Sequence, residues 1–312
     1  MSIDEVLNSA ENEHRPEARD RLSRFLQEGD PNGYSWIEKS LNQLSSVDIG
    51  SLLSMLNETL HATRRVVTKR FVIVSFSERM SATTESLYGK VPIGRWRQHE
   101  LAQIYLISQV MTERYTKEQR FAELYRLYDA SDTEGRVACL RSLNFMLGLP
   151  EDALKMIHDA GRTYLSDLME AAWCDHPYAS QNLSIEELRK AVMKALFCQV
   201  SIEGIMGIDR IADPELSRRL IEFADEREAA GRTVPAEVWR VASYFPVPGL
   251  VARLIGKLEH PMREERLNAA ICLGRAKEFL AIPFITDRID REDDSEVEYS
   301  LRVAIEHIKA EK

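Results

Sequence analysis

Apolar residues recur at the spacing of a helix along most of this chain. The clearest stripe occupies positions i, i+4, i+7 and i+8 after a single helix start, and its members are Leu216, Leu220, Phe223 and Ala224. Positions with this spacing lie on one face of a helix. Asp213 followed by Pro214 marks the start, because aspartate caps free backbone N–H groups and proline is tolerated in the first turn.

Other helix starts carry the same kind of signal. Ser184 with Glu187 and Thr116 with Gln119 match the S/T-x-x-E/Q capping box, in which the two side chains satisfy each other's backbone N–H groups. Alternating patterns that are typical of strands are nearly absent. The run "FVIVSF" at 71–76 fits a short strand as well as a buried helical turn. The pattern as a whole predicts an all-α fold.

The C-terminal part repeats a plan of helix, short turn and helix. The segments 251–274 and 282–308 both follow it. Their apolar positions correspond at an offset of 31 or 32 residues, in the pairs Leu258 and Ile289, Ala269 and Leu301, and Leu273 and Ile305. Hairpins with such a period stack, because a single hairpin cannot bury its own apolar face. We therefore expect a helical-hairpin array, an α-α superhelix that is HEAT-like at its C-terminal end.

Two stretches rich in turn residues divide the chain. "SERMSATTESLYGKVPIG" at 77–94 is the longest expected loop, and "FPVPG" at 245–249 precedes the repeats. We accordingly predict an N-terminal helical region with a loop at 1–93, a central helical region at 94–245 and the C-terminal repeats at 246–312.

Composition and charge argue against a nucleic-acid-binding protein. The chain of 312 residues has a formal net charge of −9, and its Lys and Arg residues interleave with Asp and Glu. A nucleic-acid-binding surface normally forms a basic stripe. The basic run "RRVVTKR" at 64–70 is typical of a solvated helix edge, and Arg95-Trp96-Arg97 with His99 is typical of a helix start. We expect no nucleic-acid partner.

The location predicted from the sequence is the cytoplasm. The N-terminus is acidic and polar, unlike a secretory signal, and no apolar run approaches the roughly 18–20 residues of a membrane span. The cysteines are widely spaced and lack a C-x-x-C motif. They are Cys139, Cys174, Cys198 and Cys272. We expect them to be reduced core residues, and we expect no metal and no cofactor.

The stretch "WCDHPYAS" at 173–180 resembles a fragment of a catalytic or metal site. Its candidates Cys174, Asp175 and His176 are consecutive, and neighbouring helical side chains point about 100° apart, so they do not converge easily on one ion. Proline disfavours helical backbone in the residue before it, which ends the preceding helix near His176. We expect a turn between helices, with a catalytic or ligand role for His176 as the alternative.

The region around this turn is similar to a known family. The matching motifs are Arg162-Thr163, Pro177-Tyr178, Lys194-Ala195-Leu196-Phe197, Gly207, Asp209-Arg210, Ala212, Pro214-Glu215-Leu216, Glu226-Arg227, Ala229-Ala230-Gly231-Arg232 and Pro235. Their order and spacing resemble the EboA family over roughly 120–244. Departures fall on polar positions of the family pattern, where this chain has Tyr164, His176, Leu188-Arg189-Lys190 and Asp213.

The resemblance implies a place in a secondary-metabolite pathway. Members of the family accompany a gene cluster with a prenyltransferase-like membrane protein, a hydrolase-like protein and a sugar-phosphate cyclase-like enzyme. That cluster is associated with making or moving a secondary metabolite, including a cyanobacterial sunscreen precursor. No reaction carries over from the family to this chain.

A basic cluster is the candidate ligand site. Arg227 continues the apolar stripe of its helix, and a buried guanidinium needs a partner, so we expect it to be mostly buried and bonded to a carboxylate such as Asp209, Asp225 or Glu226. The alternative is an anion- or ligand-binding site, since arginine suits phosphate and carboxylate. Its members would be Arg162, Tyr178, Lys194, Asp209, Arg210, Arg227 and Arg232. We expect the Tyr178 ring to pack inward, with Arg162 or Asp209 as the partner of its hydroxyl.

Two classes of function follow from these patterns. The first is a non-catalytic helical binding or scaffold protein of the secondary-metabolite pathway, whose partner is a pathway protein or a small acidic metabolite. The second is an enzyme that acts on a phosphorylated or carboxylated small metabolite through an Arg/Lys-lined pocket. We favour the first, because the sequence shows no nucleophile–base pair, metal motif or phosphate loop, and no catalytic residue is assigned. The ligand and the oligomeric state stay open.

Overall fold

Helices follow one another along nearly all of the residues that the structure describes. This computed structural model describes residues 21–72, 83–146 and 149–310. The predicted all-α fold is confirmed, and most of the "FVIVSF" run lies outside the described residues. No helix in the described part is long and apolar enough to cross a bilayer.

The described chain forms two compact units. The first contains the described residues up to Leu183, together with Cys198–Val200 and Gly204–Met206. After helical residues 21–29, its helices are α1 (Pro31–Ser46), α2 (Ile49–Val66), α3 (Gln98–Arg114), α4 (Lys117–Ala130), α5 (Thr133–Ser142), α6 (Leu154–Arg162), α7 (Ser166–Trp173) and α8 (Pro177–Asn182). The division predicted at 93/94 and 245/246 remains a prediction.

Helix α3 is the centre of the first unit. It packs against α1, α2 and α5, and nearly every residue from Gln98 to Met111 is buried. A helix that is buried all round belongs to the core of its domain. It nevertheless carries buried polar side chains, of which Gln103 donates a hydrogen bond of 2.8 Å to the Leu60 carbonyl. This helix therefore brings polar groups into the interior, where the candidate site lies.

A β-hairpin occupies part of the loop predicted at 77–94, a feature that the helical pattern did not predict. Strand β1 (Thr83–Ser86) pairs antiparallel with β2 (Gly89–Pro92), and the turn needs Gly89 at φ +109°, a conformation that favours glycine. The Tyr88 hydroxyl donates to the Met146 carbonyl at 3.0 Å. Residues 77–82 of the predicted loop lie outside the described part of the chain.

The second unit contains Ser184–Phe197, Ser201–Glu203 and the described residues from Gly207 onward. Its helices are α9 (Ile185–Phe197), α10 (Ile208–Ile211), α11 (Pro214–Ala229), α12 (Ala236–Ala242), α13 (Leu250–Lys257), α14 (Arg263–Ala276), α15 (Ile282–Ile289) and α16 (Ser295–Lys309). Short 3-10 turns lie at Leu143–Phe145 and Glu151–Ala153 in the first unit and at Phe279–Ala281 in the second.

The predicted helix starts are confirmed. The Asp213 carboxylate accepts from the Leu216 backbone N–H at 2.8 Å and caps α11. Ser184 and Glu187 form their capping box ahead of α9, with the Glu187 carboxylate 2.9 Å from the Ser184 backbone nitrogen. Thr116 and Gln119 do the same ahead of α4. The four apolar residues of the α11 stripe are all buried, which explains the spacing that predicted the helix.

The C-terminal segment forms the two predicted helix pairs. Residues 249–310 contain helices and turns and no strand. Helix α13 packs on α14, α15 packs on α16, and the two pairs meet where α14 lies along α16. Ala269 and Leu301 are both buried, whereas Ile289 and Ile305 are only partly so. The assignment of this segment to HEAT-like repeats remains a prediction.

The contact between α14 and α16 depends on the absence of a side chain at Gly274. A Cβ atom there would lie 2.9 Å from the Cα and 3.1 Å from the Cβ of Ala304. Because a backbone atom cannot move aside alone, we expect Gly274→Ala to lower the free energy of unfolding by about 1–3 kcal/mol in urea titrations. Gly256→Ala is the matched control, since no atom lies within 4 Å of its Cβ position. It should stabilise by up to about 1 kcal/mol. Equal effects of the two substitutions would contradict close packing at Gly274.

Candidate functional site

The residues of the predicted anion site fall in both units. Arg162 and Tyr178 belong to the first unit, whereas Lys194, Asp209, Arg210, Arg227 and Arg232 belong to the second. Within the second, the Arg232 backbone N–H donates to the Arg227 carbonyl at 2.8 Å, while Asp209 and Arg210 are exposed on α10. Lys194 lies half-buried on α9. A single site made of these side chains therefore remains a prediction.

The expectation for Arg227 is wrong. Its side chain is half-buried, its Nε donates to the Thr233 carbonyl at 2.6 Å, and its guanidinium lies 5.6 Å above the Phe223 ring. No carboxylate of the described residues is within ion-pair distance of it. The helix ends just beyond this arginine, so the side chain reaches the following turn and its free carbonyl. Helical spacing alone did not reveal that partner.

The two candidates of the first unit differ in environment. Arg162 is exposed and pairs with Asp159 at 2.8 Å, one helical turn away. Tyr178 is buried as predicted, and burial raises the pKa of its hydroxyl to about 12. Its ring packs edge-on against Tyr88 with 5.0 Å between centroids, so an aromatic ring from the β-hairpin is its neighbour. The expected hydroxyl partners Arg162 and Asp209 remain untested.

The turn expected over "CDHPYAS" covers only residues 174–176, because Pro177 already begins α8 and His176 caps that helix. The fully buried His176 precedes α8, where its Nδ1 accepts from the Ala179 backbone N–H at 3.2 Å. The other ring nitrogen, Nε2, therefore carries the proton and donates to the Leu140 carbonyl at 2.9 Å. Both ring nitrogens have structural partners, and burial lowers the pKa of His176 to about 4. Among the described residues, no three His, Cys, Asp or Glu side chains group as metal ligands would.

Asp175 in the same stretch fixes an arginine of the first unit. Its carboxylate accepts from Arg95 at 2.7 and 3.1 Å, and its backbone N–H donates to the Gly204 carbonyl at 2.8 Å. A Cβ atom at Gly204 would lie 2.8 Å from the Cβ of Cys174 and would displace the end of the Arg95 side chain. Burial raises the pKa of the Asp175 carboxyl, although Arg95 opposes that shift. The Arg95 side chain is thus held in one place, at the edge of a cleft.

This cleft is the candidate functional site. It lies within the first unit and has a volume of about 430 Å³. Residues from the segment before α3, from α3 itself, from α5 and from α7 line it. They are Lys69, Arg95, Arg97, His99, Glu100, Gln103, Ile104, Thr133, Glu134, Val137, Ala138, Arg141, Asp167 and Glu170. Ligand sites of small molecules commonly have such a volume. The lining is mostly polar and carries both signs of charge.

Arg141 is a charged group of the cleft that is shielded from solvent and yet lacks a hydrogen bond. Only 13% of its side chain is exposed, yet its guanidinium donates no hydrogen bond within the described residues. Its nearest carboxylate is Glu100, 3.6 Å away, and it lies 5.3 Å above the Trp96 ring. A buried arginine normally bonds to a carboxylate or to backbone carbonyls. Arg141 is therefore held by stacking, with its hydrogen-bonding groups still available.

His99 is a second unsatisfied group in the same wall. The residue is only 7% exposed, and its Nδ1 is buried without a hydrogen-bond partner among the described residues. Burial is the main cause that lowers its pKa, while Glu100 and Glu134 oppose the shift. The imidazole is therefore neutral at pH 7 and offers either an acceptor or a donor.

The carboxylates of the cleft differ in the hydrogen bonds and ion pairs that they make with other described residues. Glu100 accepts from the Arg97 backbone N–H at 2.7 Å and caps α3, and Glu134 pairs with Arg64 at 3.1 Å. Glu170 lies 3.8 Å from Arg95, beyond hydrogen-bonding distance. Asp167 is exposed in the first turn of α7 and has no partner in the described part of the chain.

Arg95, Arg97 and His99 are predicted from the sequence to lie at a helix start. That interpretation is confirmed, because Arg97 precedes the first residue of α3. Their role in the cleft was missed, and so was Arg141. The signal in the sequence was the basic and aromatic group Arg95-Trp96-Arg97 directly ahead of a helix.

Comparisons with known proteins place the chain in a family. A family model described as "Metabolite traffic protein EboA" matches residues 19–243. The match is longer than the resemblance at 120–244 and contains every residue that lines the cleft. No curated protein and no solved structure gives a significant match. Because the family model covers more than half of the sequence, the chain belongs to the EboA family of metabolite traffic proteins.

Proposed function

We propose that this protein is a non-catalytic binding protein that holds a small acidic metabolite of a secondary-metabolite pathway in the cleft of its first unit. The observation that carries the proposal is Arg141. A guanidinium that stacks on Trp96 and donates no hydrogen bond has already lost much of its hydration, and a carboxylate or phosphate would supply the missing bonds. The family description, a metabolite traffic protein, supports a role in carrying a small molecule.

The surroundings of Arg141 support binding over catalysis. Arg95 is engaged by Asp175, and Arg97 by the Lys69 carbonyl and the Phe71 ring, so these side chains shape the cleft and are not free to move. A site preorganised in this way binds with little loss of side-chain entropy. The neutral His99 beside it offers one further hydrogen bond that orients the ligand.

The cytoplasm is the proposed location. All four cysteines carry free thiols, and three of them are buried. Burial raises the pKa of the Cys174 thiol to about 12, so it stays protonated and unreactive. Buried free thiols are typical of proteins from reducing compartments. Cell fractionation that found the protein in the periplasm or the medium would contradict this location.

Substitution of Arg141 tests the binding site. We expect Arg141→Met to leave the thermal stability of the ligand-free protein unchanged or slightly higher, because it removes a charge without breaking a hydrogen bond. In isothermal titrations with hexanoate, benzoate and inorganic phosphate, at least one probe should bind the wild type. The same substitution should weaken that binding by about 10-fold or more, the range for a lost charged hydrogen bond.

Arg227→Met is the matched control, because that arginine also lies on a ring but outside the cleft. It should leave probe binding unchanged. Loss of binding in Arg227→Met alone would move the site to the anion cluster predicted from sequence. Equal binding by wild type and Arg141→Met would refute the proposed site. Conversion of a probe during the titration would favour the enzyme alternative.

A further inference from the structure

The cleft carries acidic groups that the binding of an anion leaves unexplained. Of its lining residues, four are cationic and four are carboxylates: Lys69, Arg95, Arg97 and Arg141 against Glu100, Glu134, Asp167 and Glu170. A site for a simple anion is not expected to contain as many carboxylates as cations, since each carboxylate repels the ligand. A phosphate dianion would be repelled most strongly by these carboxylates, because it carries two negative charges. The equal numbers of cationic and anionic side chains in the lining therefore help to identify the class of ligand.

The engaged and the available carboxylates lie on different elements. Glu100 on α3 and Glu134 on α5 already have partners, an N-terminal backbone group and Arg64. Asp167 and Glu170 lie on α7 and are three residues apart, so their side chains share one helical face about 5–6 Å from each other. Neither makes a short bond to a cation: Asp167 has no partner in the described residues, and Glu170 is 3.8 Å from Arg95.

The available cation lies on another helix. Arg141 belongs to α5, which packs directly against α7. One helix thus contributes an unbonded guanidinium to the cleft, and its neighbour contributes two weakly engaged carboxylates. The buried, unpartnered ring of His99 on α3 lies in the same lining.

We infer, building on the binding role proposed above, that the ligand of this cleft is a zwitterion of the amino-acid class. Its carboxylate binds Arg141, and its cationic nitrogen binds Asp167 and Glu170. Such a ligand supplies a partner to Arg141, Asp167 and Glu170 and leaves the cleft electrically neutral. An acid without a cationic group would satisfy Arg141 but would lie beside two unneutralised carboxylates. A volume of about 430 Å³ accommodates a molecule with a six-carbon chain or a single ring.

Matched probes of equal carbon number test this assignment. Isothermal titration of the full chain would compare hexanoate, hexylamine and two zwitterions, 6-aminohexanoate and norleucine, whose charges are separated by different distances. We expect at least one zwitterion to bind about 10-fold more tightly than hexanoate, since the second ion pair forms in a partly enclosed site. Hexylamine should bind more weakly than that zwitterion, because it leaves Arg141 without a hydrogen-bonding partner.

Substitutions on α7 test whether Asp167 and Glu170 cause the preference for a zwitterion over hexanoate. The double variant Asp167→Asn with Glu170→Gln should reduce the preference for the zwitterion to about 2-fold or less, while hexanoate binds as well as before or better. A matched pair of amide substitutions outside the cleft, Asp225→Asn with Glu226→Gln, should change neither affinity. Circular dichroism melts would establish that each variant is folded.

The outcomes separate the inference from the function on which it rests. Arg141-dependent binding of hexanoate without any gain for the zwitterions would overturn the zwitterion assignment and leave the binding role intact. An unchanged preference in the α7 double variant would overturn it as well. If no probe bound in a manner that depends on Arg141, the proposed function itself would fail.

Discussion

Replacing Glu292 with glutamine should lower the free energy of unfolding by about 3–5 kcal/mol, the range for removing one member of a buried ion pair. The Glu292 side chain is fully buried between two arginines that are each 13% exposed. Arg266 bonds to it through two nitrogens, both at 2.8 Å, and Arg288 donates to it at 2.9 and 3.1 Å. The Asp294 backbone N–H donates at 3.1 Å.

This carboxylate connects the turns of the two C-terminal helix pairs. Arg266, which binds it, also donates to the carbonyls of His260 and Pro261 in the turn between α13 and α14. Glu292 itself lies in the turn between α15 and α16. Glutamine keeps the shape but removes the charge to which Arg266 bonds through two nitrogens, whereas Arg288 keeps Glu259 at 3.4 Å as a second partner. The pKa of Glu292 is lowered to about 2, chiefly by its bonds with Arg266, so the carboxylate stays charged throughout the ordinary pH range.

Urea unfolding at pH 7 measures the effect, with Glu298→Gln as control. Glu298 pairs with Arg302 along the exposed side of α16 at 2.7 Å. Exposed pairs of this kind contribute about 0–1 kcal/mol, so the control should unfold almost like the wild type. Equal losses in the two variants would mean that the Glu292 cluster is solvated and that the helix pairs are held together by apolar contacts alone.

Local patterns predicted local structure well. The cap at Asp213, the capping box at Ser184 and the end of a helix shortly before His176 each depend on neighbours within a few positions, and all are confirmed. The β-hairpin at Thr83–Pro92 was missed, because its strands are only four residues each and the first of them, TTES, contains no apolar residue. Its stability comes from contacts with distant residues, including the bond from Tyr88 to Met146.

The candidate site depends on contacts across long stretches of sequence. Arg141 occupies an ordinary polar position of an amphipathic helix, and nothing near it in the sequence indicates that it stacks on Trp96, 45 positions earlier. The lining extends from Lys69 to Glu170. The family resemblance pointed to later residues such as Arg227. It rests on the order and spacing of sequence motifs, which do not show which side chains meet in the fold. Only the folded structure shows that Arg141 lacks a hydrogen-bond partner among the described residues.

The buried His176 should make the protein less stable as the pH falls from about 6.5 to about 4. Burial lowers the pKa of this imidazole from 6.5 to about 4 in the folded state, so between these values the unfolded chain binds a proton that the folded protein does not. The neutral His176 therefore makes its full contribution to the free energy of unfolding above pH 6.5. This contribution is lost as the pH falls from 6.5 to about 4. A shift of this size corresponds to about 3 kcal/mol.

A comparison of His176→Asn with the wild type isolates this contribution. Asparagine retains an acceptor for the cap at Ala179 but does not titrate, so the variant should be less stable at pH 7, where it lacks the bond to Leu140, and less sensitive to pH between 6.5 and 4. His307→Asn, an exposed position near the end of α16, should leave the pH dependence unchanged. His99 also has a lowered pKa, so part of the slope should persist in His176→Asn.

Direct titration of the wild type by NMR provides a measurement that does not depend on a variant. The His176 ring signals should stay those of a neutral imidazole with its proton on Nε2 down to a pH near 4, because Nδ1 is occupied by the Ala179 N–H and Nε2 by the Leu140 carbonyl. Protonation would force two donors toward one another at the α8 cap and break it. A midpoint near 6.5 would show that the ring reaches water, and the stretch that looked like a metal or catalytic site would again be available for chemistry.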